Sequence, residues 1–143
     1  MSDISDRLVG AVNAHDVDAL LRCYNPRAVI LAPEVQAETP EQIASYFSHV
    51  WEGFPDVRLT ILEKTGTESF VVIEALSTGT HRGPYLVAGG ETLAPTGRHV
   101  SVRTCWVCTL EEGVILSQRL YYDQLEVYIQ LGMRSPSQGL PFY

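Results

Sequence analysis

Two long alternating runs, 98–110 and 114–125, flank the tripeptide Glu111-Glu112-Gly113. Successive side chains on a strand point to opposite faces, and a glycine supplies the positive φ that a tight connection needs, so the pattern predicts an antiparallel hairpin. The second run ends on an acid. Gln118, Leu120 and Tyr122 fall on one face, and Arg119, Tyr121 and Asp123 on the other. An ionised carboxylate among apolar and aromatic neighbours is costly to bury unless it is paired or used. Asp123 is therefore expected either to line a cavity that admits a ligand or, as Asp is a favoured N-cap, to start a helix over 125–131. The connection decides its company. A three-residue loop with a glycine bulge, which the position of Gly113 favours, pairs Tyr121 with Arg103 and Arg119 with Cys105. A two-residue loop brings Thr104 and Trp106 to the pocket side instead, because a one-residue slip exchanges the faces.

The chain ahead of the hairpin begins with helices. Ile4, Leu8, Ala11 and Val12 recur at helical spacing, with Ser2 as a candidate cap. Asp16 caps a second short helix carrying Val17, Leu20, Leu21 and Tyr24, expected to end near Asn25-Pro26. His15 falls in the polar turn between them. An apolar strand over 28–31 is stopped by Pro33, and a strong helix start follows: Thr39 as N-cap, Pro40 at the first helical position and Gln42 as capping-box partner. Its stripe is Ile43, Tyr46, Phe47, Val50 and Trp51. Such a stripe suits a core or the lid of a cavity, and Tyr46 and Trp51, each with a polar handle, suit both.

Residues 57–62 alternate, turn through 64–67 and return as a long strand from Phe70 toward His81, with Glu74 a charge inside it. Gly89, Gly90, Pro95 and Gly97 make 85–97 read as a loop over an opening. The order of elements is α+β, with helices on one face of a curved, mostly antiparallel sheet and a cone-shaped cavity between them. One domain over 1–134 accounts for these elements, and 135–143 read as a tail.

Composition excludes several partners. At 143 residues with a formal net charge of −7 and ten scattered basic residues, the chain lacks the clustered cations that nucleic acid or an anionic membrane surface requires. No apolar run is long enough for a membrane span, and the N-terminus has no signal-peptide pattern, so a cytoplasmic location is expected. Cys105 and Cys108 spell C-x-x-C, but three residues apart on a strand they point to opposite faces and can neither bridge nor share a metal. Four separated histidines, with His49 and His99 expected at the surface or in loops, give no metal-site spacing.

Several of these segments form a set. The NAHD turn, FPD at 54–56, GTHRGP at 79–84, PTGR at 95–98, and YYD followed by QLGM resemble, in order and spacing, the SnoaL-like polyketide cyclases of the nuclear transport factor 2-like superfamily, over about Leu8 to Met133. The resemblance implies an α+β cone whose cavity holds a hydrophobic polyketide, in a homodimer or homotetramer assembled through the outer sheet face. It implies ring closure by intramolecular aldol addition without metal or cofactor, with Asp123 at the position of the acid/base and His81 at the histidine of the GTH motif. Thr109 stands where some of these cyclases carry a second histidine.

An aldol closure needs a base for a proton next to a carbonyl, and donors for the enolate and alkoxide that follow. On this reading Asp123 transfers the proton, His81 and Arg103 give polar support, and Tyr121, Tyr46, Trp51 and Glu74 line the substrate site. Isomerisation, another cyclisation, hydroxylation or epoxide opening would use the same cavity, the last with Glu74 as second carboxylate. A binding domain without catalysis would leave Asp123 satisfied by backbone donors.

Overall fold

In the computed structural model, residues 3–87 and 90–133 are described. Helices α1 (Ile4–Ala14) and α2 (Val17–Leu21) open the chain, capped by Asp3 and Asp16, whose carboxylates accept from the amides of Asp6 and Ala19. The expected cap Ser2 lies outside the described residues, as does the tail. Helix α2 stops at Leu21, one turn earlier than its periodicity predicts. Tyr24 is instead the first residue of strand β1 (Tyr24–Leu31), which carries Pro26 through a register shift between Tyr24 and Val29. A two-residue strand β2 (Gln36–Ala37) folds back on it.

Helix α3 (Pro40–Gly53) starts as its sequence dictates: Thr39 Oγ1 accepts from the Gln42 amide. The Gln42 side chain reaches back one residue further than the cap, taking the Glu38 amide at 2.8 Å. Strands β3 (Arg58–Gly66) and β4 (Phe70–Thr80) form one hairpin, and β7 (His99–Glu111) and β8 (Val114–Tyr122) another. Between the hairpins, β5 (Tyr85–Leu86) pairs with β6 (Thr92–Leu93), so the expected loop contains a small ladder of its own. The sheet runs β2-β1-β8-β7-β4-β3, antiparallel except where β1 lies parallel to β8. Helix α4 (Gln124–Gln130) closes the chain.

The β7–β8 connection differs from the favoured three-residue loop. Glu111 pairs with Val114, and Glu112 and Gly113, at φ 52° and 82°, make a two-residue turn whose left-handed residues match strand twist. A shift after Leu110 then leaves Leu116 as an extra residue, so Tyr121 lies opposite Cys105, Tyr122 opposite Thr104 and Leu120 opposite Trp106. Trp106, Cys108, Ile115, Gln118 and Leu120 are buried under the helices; Arg103 and Tyr121 are exposed on the outer face. Cys105 and Cys108 are free thiols on opposite faces, and burial pushes the Cys108 thiol up to about 12.

Several of the recognised motifs turn out to be fasteners. Asn13 of NAHD exchanges two hydrogen bonds with the Leu59 backbone, at 2.9 and 2.7 Å, tying α1 to β3. Asp56 of FPD accepts from the Thr80 amide at 2.6 Å, and Gly79 lets the Phe54 ring approach β4. Gln130 hydrogen-bonds both Ser101 backbone groups, at 2.7 and 3.0 Å, completing the β7 edge where β8 has ended. Among the described residues no helix is long and apolar enough to cross a membrane. Asn13→Ala removes both ties and leaves the half-buried Leu59 groups unpaired, so it is expected to lower unfolding free energy by about 1–3 kcal/mol in denaturant titration with the sheet signature retained.

Candidate active site

The cavity lies between the inner sheet face and the helices and has a volume of ≈ 100 Å³. Its walls are apolar over most of their area: Val12 of α1, Phe47 and Val50 of α3, Phe54 and Val57 after it, Leu59 of β3, Val100, Val102 and Trp106 of β7, Leu120 of β8 and Val127 of α4. Such a surface suits a small apolar ligand. Polarity comes mainly from Tyr46, Tyr85 and Tyr122, with Ser77, Thr78 and Thr104 on the sheet.

The three phenols meet one carboxylate. Glu34 sits in the turn between β1 and β2, which the Ala32 amide closes on the Val35 carbonyl at 2.9 Å. Tyr122 donates its hydroxyl proton to Glu34 Oε2. The hydroxyls of Tyr85 and Tyr122 are also hydrogen-bonded to each other. Burial first, and then the charge of Glu34 and the neighbouring phenols, push the ionisation of Tyr46, Tyr85 and Tyr122 well above its ordinary value, so all three are held as neutral donors. Tyr46 is also hydrogen-bonded to the Glu34 carboxylate, whose Oε1 is buried and takes no further hydrogen bond, and no ion pair within 4 Å of a Lys, Arg or His involves Glu34 among the described residues. Tyr46, Tyr85 and Tyr122 are on the cavity wall and Glu34 stands behind them, an enclosed carboxylate that is costly to bury with one oxygen incompletely satisfied.

The residues expected from sequence are placed differently. Asp123 is exposed and caps α4, its Oδ1 accepting from the Glu126 amide at 3.0 Å; strand alternation ends at Tyr122, so the acid never enters the cavity. Tyr121 is 54% exposed on the outer face. Arg103 and Glu74 face each other there at 3.7 Å, both largely solvated, which also removes Glu74 as the second carboxylate for epoxide opening. Trp51 spends its indole N–H on the Val12 carbonyl at 3.1 Å and stacks on His15, so it supports the cavity from behind. Of the expected lining residues, Tyr46 alone is on the wall.

His81 is fully buried but behind the wall, packed against Phe54 and Tyr85. Its Nδ1 accepts from the Thr96 amide at 3.1 Å, which assigns the proton to Nε2, and the backbones of His81, Gly97 and Arg98 bond each other. Sequence reasoning missed Glu34, Tyr85 and Tyr122. One signal was available for Glu34: an acid set inside the apolar run Leu31-Ala32-Pro33-Glu34-Val35.

A profile of the SnoaL-like domain matches residues 6–118. The chain belongs to this family. A candidate SnoaL-like polyketide cyclase from Jannaschia sp. CCS1 superposes with a TM-score of 0.80 at 25% identity, over 92% of this chain and 90% of that one. IdmH, a candidate polyketide cyclase from Streptomyces antibioticus, gives 0.73 at 22% over 91% and 96%. AclR, a candidate hydroxylase from Streptomyces galilaeus, gives 0.75 at 19% over 90% and 92%. No curated protein matches. The SnoaL-like fold accounts for the cavity, and similar folds carrying different candidate activities leave the reaction to be argued from the site itself.

Burial lowers the pKa of His81, against a smaller upward pull from the Gly83 backbone. The folded ring binds fewer protons than the unfolded one, so stability rises with pH: this contribution is complete above the unfolded value of about 6.5 and is lost as pH falls from there through the lower folded value. The denaturation midpoint is therefore expected to drop between about pH 7 and pH 5. His81→Gln, which does not titrate, should flatten that drop. In the same scans Asp123→Ala should cost about 1 kcal/mol, the loss of a helix cap.

Proposed function

We propose that this SnoaL-like domain is an enzyme that carries out cofactor-independent proton transfer on a hydrophobic carbonyl compound, leading to aldol-type ring closure, with Glu34 in the role that sequence alone assigns to Asp123. The observation that supports this reading is the buried Glu34 carboxylate, with Oε1 incompletely satisfied, directly behind three neutral phenols that line the cavity.

The chemistry follows the charge. With the phenols in front of it shifted aside by the bound substrate, Glu34 Oε1 takes a proton from the carbon next to a carbonyl, and the C–H electron pair moves through the new C=C bond onto the carbonyl oxygen. Glu34 is then neutral, and the Tyr122 hydroxyl, no longer held by a carboxylate, turns to the enolate oxygen. The donors thus follow the negative charge from enzyme to substrate, which is the arrangement that stabilises a transition state more than the ground state. Attack of the enolate carbon on a second carbonyl of the same molecule forms the ring C–C bond, and the resulting alkoxide recovers the proton from Glu34. Atoms balance without an added reagent.

An apolar wall serves this scheme twice. It keeps bulk water from the reacting carbon and the enolate, and it folds a flexible substrate so that its two carbonyls meet. A volume of ≈ 100 Å³ accepts about one ring, so the closing ring occupies the cavity and the remainder of a longer substrate extends toward its mouth. Association of two copies through the outer sheet face, where Phe70 and Tyr121 are exposed, belongs to the same proposal.

Hydrogen–deuterium exchange at the α-carbon of phenylacetone in D2O isolates the first step. The wild-type chain is expected to accelerate it, and Glu34→Gln to reduce that acceleration by about 10²–10⁴-fold, while Asp123→Asn stays within about twofold of wild type. The reverse pattern would return the role to Asp123. Binding of the ketone without exchange, by the wild-type chain and both variants alike, would make the domain a small-molecule binder.

A further inference from the structure

Two histidines that line no part of the cavity hold the segment that carries Tyr85 into it. From one side, His49 of α3 stacks on the Tyr85 ring, with centroids 5.1 Å apart and planes within 9°, and its Nε2 accepts from the Leu86 amide at 3.0 Å. From the other side, His81 meets Tyr85 edge-on at 6.3 Å, and its Nδ1 accepts from the Thr96 amide at 3.1 Å. Gly53, one helical turn beyond His49, makes the fit possible: a Cβ there would stand 3.0 Å from the Tyr85 ring. A solvated surface histidine would show neither the stacking nor the backbone bond.

Both contacts use the imidazole in one state only. An imidazole nitrogen that accepts from a backbone N–H must be unprotonated, and protonation replaces the acceptor by a second donor facing the first. We propose that His49 and His81 are positioning residues that, as neutral rings, fix Tyr85 in the phenol chain, and that their protonation releases Tyr85 and disables the site. The inference rests on the reading of that chain as the reactive end of the cavity.

The charged and titratable surroundings are compatible with such a switch. Tyr85 is common to both rings and is held neutral by burial. On the elements packed against His49, the charged residues include Glu52 of the same helix and Glu91, whose carbonyl accepts from the Val87 amide. Around His81 stand Asp56, which is committed to the Thr80 amide; His99, on the Thr80 hydroxyl; Arg82, the next residue in the chain; and Arg98, whose guanidinium lies over Gly132. No carboxylate forms an ion pair with either ring among the described residues, and the Thr96 hydroxyl, 3.0 Å from His81 Nδ1, offers a protonated ring only a neutral acceptor in place of the Thr96 amide.

Amide exchange in the ¹⁵N-labelled full chain, corrected for the intrinsic pH dependence, tests this without a substrate. Between about pH 8 and pH 5, spanning the imidazole range, protection at Leu86 and Thr96 is expected to fall at least about tenfold. In His49→Gln, whose amide oxygen accepts at any pH, Leu86 should keep its protection while Thr96 still loses it. His49→Ala should leave Leu86 unprotected even at high pH and reduce ketone exchange there. Constant protection at both amides in the wild-type chain overturns the proposal, as does a wild-type loss at Leu86 in His49→Gln. The two readings fail separately: a flat exchange profile with Glu34→Gln inactive removes only the latch, and an intact latch with Glu34→Gln fully active removes only the role of Glu34.

Discussion

The structure depends on which face of β8 is turned inward. Leu120 and Tyr122 point into the cavity, and Arg119 and Tyr121 point out, because the Glu112-Gly113 turn and the extra residue Leu116 together bring Trp106 and Thr104 opposite them. Hydrophobic burial enforces the choice. Turning the other face inward would bury Arg103, Arg119 and Glu74 and expose Trp106, Ile115 and Leu120, a penalty of several charged groups against several apolar ones. A strand has no intermediate setting, so one decision places every side chain of the site.

Once Tyr122 is inside, the rest of the polar end follows. Its hydroxyl needs a partner in an apolar cavity and finds Glu34, 88 residues earlier in sequence, which the parallel pairing of β1 on β8 brings to the same end of the sheet. Tyr85 and Tyr46 complete the cluster from β5 and α3. One carboxylate among neutral phenols gathers the polarity of this end of the cavity into a small hydrogen-bonded patch. Three of the four groups come from segments that share no motif with one another.

The recognised motifs hold the cavity in shape and lie mostly outside it. NAHD ties α1 to β3, FPD and GTH tie the end of α3 to β4, PTGR lies against His81 and Gly132, and the aspartate of YYD starts α4. This division explains how a SnoaL-like domain can be legible as a family while its reaction is not. Fasteners such as Asn13 and Gly79 are required by the fold whatever the substrate, whereas cavity-facing groups are free to differ between members that share it.

The sequence by itself determined the elements and their class: the Thr39 cap with Pro40, the Asp16 cap, the long alternating strands, and the opposition of Cys105 to Cys108 are local matters, governed by hydrogen-bond reach and side-chain period within a few residues. It also marks the inner face, since the charges of 74, 103, 119 and 123 all fall on the opposite one. The meeting of Glu34 with Tyr122 and Tyr85, and the demotion of Asp123 to a helix cap, were decided by tertiary structure, because strand pairing and chain closure join residues across separations over which no local pattern carries information.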